Sequence, residues 1–158
     1  MEIHFSTILT SLLHGLILGM VLVIVAGGLT IIFGMLDVLN FAHGSLYMLG
    51  GYLGFTLATV AGSFWLALIL APMIVGFIGF LIEFFTLRPL YGRPPLHHLL
   101  LTFGIRLIIQ NAIKFIWGNN IYTVSIPSFL SGATRFLGIS YPTYHLFVLF
   151  FSVGIAIL

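Results

Sequence analysis

An acid, an amide and an imidazole stand within seven residues of one another, Asp37, Asn40 and His43, in a chain where charged residues make up only 5%. Spaced by three, they would lie near one face of a continuous helix. Polar groups inside a bilayer must find partners, so they usually face a bundle interior or a wet cavity. One reading is therefore a break between helical pieces over Asp37 to Gly44, with Asn40, Phe41, Ala42, His43 and Gly44, and Tyr47 one turn on, lining a passage. The other is that Asp37 and Asn40 cap a helix at the membrane surface, an Asn or Asp at that position contributing about 1 kcal/mol. Spacing alone leaves both open. Gly50, Gly54, Ala58 and Gly62 follow at intervals of four, a ridge of small residues that lets a second helix approach closely.

A second constellation lies further on. His98, Thr102, Arg106, Gln110 and Lys114 recur every four residues, and at 100° per residue each step drifts about 40°, so the polar stripe winds slowly around its helix. Arg106 is the costly member, at about 2.5 to 3.5 kcal/mol near the centre of a span. It is expected to pair with an acid such as Glu83, to snorkel, or to border water. A helix buried among others, with Lys114 at the far interface, accounts for the stripe equally well. His97 and His98 are adjacent and point about 100° apart on a helix, with no acidic partner at ligand spacing, so a metal site is not expected. No nucleophile elbow or phosphate-binding loop occurs, and the chain has no cysteine. His4, His14 and His145 are read as interfacial or packing residues.

The elements that carry these residues follow from composition. Apolar types make up 61% of the chain, and a membrane-spanning helix needs roughly 20 apolar residues. Apolar runs cover about residues 6–34, 41–61, 64–87, 96–118 and 144–158, the last too short to span. No positive n-region of a signal peptide opens the chain. "RPLYGRPP", residues 88–95, holds two arginines, three prolines and a glycine. It must be a loop, and as the densest basic cluster it is expected on the cytoplasmic side, with the N-terminus outside. Residues 119–143 read as an outer loop, in part re-entrant. The expected fold is an all-α integral membrane protein, a polytopic transmembrane helix bundle interrupted near residues 37–44. It is expected to form a single domain over residues 1–158, cut inside its fifth span. No basic stripe suited to nucleic acid is present.

"GLTIIFGMLDVLNFAHGSLYMLGGYLG" (28–54), "RPLYGRPPLHHLLLTFGIRLIIQN" (88–111), "WG" (117–118) and "YPTYHLF" (141–147) occur in this order. These blocks closely resemble the permeases of branched-chain amino acid ABC importers, the LivH type; the urea and short-chain amide permeases share the pattern. The resemblance implies a multi-pass permease of the bacterial inner membrane. Its partners would be a second, homologous permease of the LivM type, two cytoplasmic ATPases and an external amino-acid-binding protein. ATP would be hydrolysed on the ATPases, leaving this chain without catalytic residues or cofactor. It also implies that Asn40, Phe41, Ala42, His43 and Gly44, with Tyr47, belong to the translocation region, and that the ATPase-coupling loop falls beyond Leu158. Relatives often carry an acid near position 111 and an apolar residue near 106, where this chain has Asn111 and Arg106. The rival of a different class is an autonomous ion-coupled carrier or channel with Asp37, Glu83, His43 and Arg106 as a relay.

Overall fold

A computed structural model describes residues 5–37, 39–136 and 139–157. Val38 of the expected break, His4 and Leu158 lie outside the described residues. The chain is a helix bundle: α1 (Phe5–Leu36), α2 (His43–Ala61), α3 (Phe64–Ile82), α4 (Pro95–Trp117) and α5 (Thr143–Ile157). Among the described residues the strands are those of one antiparallel hairpin, β1 (Ala133–Phe136) and β2 (Ile139–Pro142), with Thr134 opposite Tyr141. The hairpin and a short 3-10 turn, Ser128–Leu130, fall in the segment read as an outer loop.

Each helix end has a local cause. Asp37 sits at φ 51, in the left-handed region that stops a helix, and its N–H still reaches the Phe33 carbonyl at 2.9 Å. Gly62 ends α2 at φ 62, where glycine carries no Cβ penalty. Ser63 then opens α3, its hydroxyl accepting from the Leu66 N–H at 3.4 Å. α3 tolerates Pro72 and runs into a π turn, Glu83–Leu87, and a 3-10 turn, Arg88–Leu90, before Pro94 and Pro95 start α4. The apolar run expected over 64–87 thus continues through two changes of helical pitch.

Among the described residues three helical stretches are long and apolar enough to cross a membrane: Thr7–Met35, Phe64–Leu90 and Pro95–Trp117. α2 is not among them, because glycines and tyrosines dilute its apolar content. It compensates by contact on two sides. Toward α3 it presents Gly50 and Gly54, whose missing Cβ atoms would lie 3.7 Å from Val75 and 3.9 Å from Ala71. Toward α4 it joins a core in which Ala42, Ile105, Ile109 and Ile113 are buried, with Leu49, Tyr52 and Trp117 packed against it. Outward faces stay apolar: Phe115, for example, is 92% exposed. In water such a surface would drive association, whereas hydrocarbon solvates it without loss. This is a membrane protein.

The described residues form two compact units, one within Met1–Gly28 and Ile126–Leu158, the other within Leu29–Ser125. The first holds the start of α1, the hairpin and α5. The second holds α2, α3 and α4, and with them both polar constellations.

Candidate functional site

The described residues between α1 and α2 are non-helical, and Asn40 and Ala42 make their hydrogen bonds locally. Asn40 folds its side chain back so that Oδ1 accepts from the Ala42 N–H at 2.9 Å, and its carbonyl accepts from the His43 N–H at 3.2 Å. Ala42 is 1% exposed, so its N–H has little access to solvent and needs that partner. The Ser45 hydroxyl donates to the Ala42 carbonyl at 2.7 Å. Asn40 therefore satisfies the approach to α2, while Asp37 terminates α1.

Thr102 ties this break to α4. The residue is fully buried, and its hydroxyl lies 2.9 Å from the His98 carbonyl, 3.2 Å from the Leu99 carbonyl and 3.3 Å from the Leu39 carbonyl. A single proton serves these three acceptors, and the shortest contact takes most of it. The residues singled out in the break point different ways. Ala42 and Ser45 are buried, Asn40 and His43 are half-buried, and Phe41, Gly44 and Tyr47 are exposed.

The stripe of the fourth apolar run is divided in the same manner. Thr102 is buried, Gln110 is half-buried and Arg106 is exposed. The buried register is instead His98, Thr102, Ile105, Ile109 and Ile113, whose steps of four, three, four and four hold one face. A strict step of four carries Arg106 off that face. Of the small-residue ridge, Gly50 and Gly54 meet α3, Ala58 is half-buried, and Gly62 belongs to the turn, with nothing within 4 Å of its added Cβ.

A polar cavity opens beside the break. Its volume is about 350 Å³, and Met35, Asp37, Tyr91, Arg93, Pro95 and His98 line it. The end of α1 and the loop carrying the basic cluster thus meet at one place. Tyr91 is held there by its hydroxyl, which donates to Glu83 Oε1 at 2.8 Å, and its ring stacks on His98 with centroids 6.3 Å apart. Partial burial, and then the bond to Glu83, raise the Tyr91 phenol above its ordinary value. His98 is 5% exposed, and its Nε2 has no hydrogen-bond partner among the described residues. Arg88 does not join the cavity but sits over the Phe84 ring, 5.4 Å from its centroid.

Sequence reasoning did not find Tyr91. Its only local signal is an aromatic inside a proline-rich basic loop, eight residues after Glu83. A second group left no local signal at all. His14, Tyr141 and His145 form an aromatic cluster within the first unit, with centroids 5.3 to 5.8 Å apart. His14 Nδ1 lies 3.0 Å from the Thr10 carbonyl and 3.2 Å from the Tyr141 hydroxyl, and burial raises the Tyr141 phenol.

Comparison with known proteins places this architecture. The family model described as "branched-chain amino acid transport system / permease component" matches residues 11–158. The chain is 30% identical over 133 residues to the high-affinity branched-chain amino acid transport system permease protein BraD of Pseudomonas aeruginosa, covering 78% of this chain and 43% of that protein. It is 28% identical to the permease protein LivH of Salmonella typhimurium over 141 residues and to that of Escherichia coli (strain K12) over 145, covering in each case 84% of this chain and 45% of the relative. The chain spans under half the length of these relatives. No solved structure matches it. With a family match over nearly all of its length and a membrane helix bundle to carry it, the chain belongs to the permease components of branched-chain amino acid transport systems.

Proposed function

We propose that this chain forms part of the translocation pathway of an ABC importer for branched-chain amino acids, as a multi-pass subunit of the bacterial inner membrane. Its partners are a second permease of the LivM type, two cytoplasmic ATPases that hydrolyse the ATP, and an external amino-acid-binding protein. The observation that carries this reading is the polar interruption at 37–42. It leads into α2, which packs on α3 through Gly50 and Gly54, and it carries exposed Phe41, with exposed Tyr47 one turn further on. Small-residue packing supports a subunit that moves as a rigid body, and the interruption supplies hydrogen-bonding groups where hydrocarbon would otherwise be continuous. Asn40, Phe41, Ala42, His43, Gly44 and Tyr47 are the residues assigned to that pathway.

The test is leucine uptake by cells carrying the complete system. Uptake stops when the ATPase partner is inactivated, and His43→Leu lowers uptake while membrane insertion stays normal. Uptake that continues without ATP hydrolysis would instead favour an autonomous ion-coupled carrier.

A further inference from the structure

The cavity between the end of α1 and the start of α4 has a wall composition that neither helix capping nor membrane topology requires. Asp37 and Arg93, one acid and one base, share it, and neither has an ion-pair partner among the described residues. Met35, Pro95 and the Tyr91 ring give it an apolar side. The first turn of α4 borders it without a side-chain cap, but Pro94 and Pro95 carry no N–H and the His97 N–H bonds the Pro94 carbonyl at 3.0 Å, so this helix end adds its dipole and no set of free donors. His98 supplies the independent sign of a ligand: it is 95% removed from solvent, lines this cavity, and keeps Nε2 unpaired among the described residues. A buried polar atom left without a partner is costly, so a protein retains one where something else bonds it.

The charges select the ligand class. A simple anion such as phosphate would meet the Asp37 carboxylate, and a simple cation would meet Arg93. A zwitterion matches both. We propose that this cavity binds an aliphatic amino acid as its zwitterion, with the carboxylate on Arg93, the ammonium on Asp37, and the side chain against Met35 and Pro95. Tyr91, fixed by Glu83, closes one wall, and His98 Nε2 completes the polar set. Because the loop of Arg88 and Arg93 marks the cytoplasmic side by the positive-inside tendency, this is an inward-facing site from which substrate leaves. The inference rests on the importer reading for its direction, not for its chemistry.

The test uses the protein in lipid nanodiscs and equilibrium dialysis with three labelled probes: leucine, the anion 4-methylpentanoate and the cation isoamylamine. Wild type retains leucine at least tenfold better than either single-charge probe. Arg93→Gln and Asp37→Asn each weaken leucine retention about tenfold or more. Asp37→Asn gains 4-methylpentanoate and Arg93→Gln gains isoamylamine, reciprocal gains that a misfolded variant would not show. Equal leucine retention by wild type and both variants, or no retention by wild type, overturns the site. Normal ATP-dependent uptake with unaltered retention in both variants removes the site and leaves the importer standing. Charge-dependent retention alongside ATP-independent uptake does the reverse.

Discussion

The Trp117 indole N–H donates to the Thr56 hydroxyl at 2.8 Å, and that hydroxyl donates onward to the Tyr52 carbonyl at 2.9 Å. A relay of two bonds therefore locks the last turn of α4 to the middle of α2, across 61 residues of sequence. Trp117→Phe removes the donor and Thr56→Val removes the acceptor. Each should destabilise the protein by about 1 kcal/mol. The double variant should cost less than the sum, because the two residues share one interaction. Unfolding in denaturing detergent, followed by circular dichroism, measures all three; strict additivity would mean that the bond contributes nothing.

The α2 and α3 contact makes a graded prediction. A methyl group added at Gly50 or Gly54 would meet Val75 or Ala71 at 3.7 or 3.9 Å, which is ordinary contact. Gly50→Ala and Gly54→Ala should therefore be neutral or stabilising by up to about 1 kcal/mol through helix propensity. Gly54→Leu places further carbons against Ala71 and should destabilise by about 1 to 3 kcal/mol. Thermal unfolding of the three variants distinguishes a packed interface, which separates Ala from Leu, from a loose one, which does not.

Asn40 separates a turn-stabilising role from conduction: α2 begins after Ala42 without a side-chain cap, so the expected capping of this helix by Asn40 is not what its side chain does. Asn40→Ala leaves the Ala42 N–H without its acceptor and should cost about 1 to 2 kcal/mol of stability. Asn40→Asp keeps an acceptor oxygen and should retain stability. If the break also belongs to the pathway, the new charge in Asn40→Asp slows leucine uptake in a well-folded protein. Stability and uptake are read on the same preparations, and unchanged uptake in Asn40→Asp would leave Asn40 with a role in the turn before α2 alone, bonding the Ala42 N–H and not capping the helix.

Tyr91 gives an alkaline signature. Its phenol is held protonated by partial burial and by its bond to Glu83, so its folded value lies above the ordinary value of about 10. For a raised value, the stability contributed is fully present below the unfolded value and is lost as pH rises through the folded one. Tyrosinate absorbance in an alkaline titration should show a late component that disappears in Tyr91→Phe. Glu83→Gln should move that component toward lower pH, because the carboxylate both accepts the bond and repels a phenolate.

Membrane character, the helical class and the position of the interruption were legible in the sequence, because each depends on composition and local backbone preference. A run of apolar residues needs no partner to be incompatible with water. A cluster of prolines with glycine and a left-handed turn residue interrupt a helix by local backbone preference, even though α3 carries a single Pro72 in its interior. The resemblance of the "LNFAHG" stretch and its flanks to a permease family was legible for the same reason: it lies in consecutive residues.

Which polar residues share a surface was decided only by tertiary structure. The interval of four in the fourth run suggested a common stripe for Thr102, Arg106 and Gln110, yet helix drift and the position of α2 bury the first and expose the second. Gly62 fits the small-residue spacing but has no packing neighbour, since the chain has already turned by that point. The partnership of Glu83 with Tyr91, and the meeting of Asp37 with Arg93 and His98, join residues 8 to 61 positions apart through loops whose path composition does not set. Periodicity assigns a residue to a face of its own helix. What that face meets depends on where the neighbouring helices pack, and that is determined by the whole bundle.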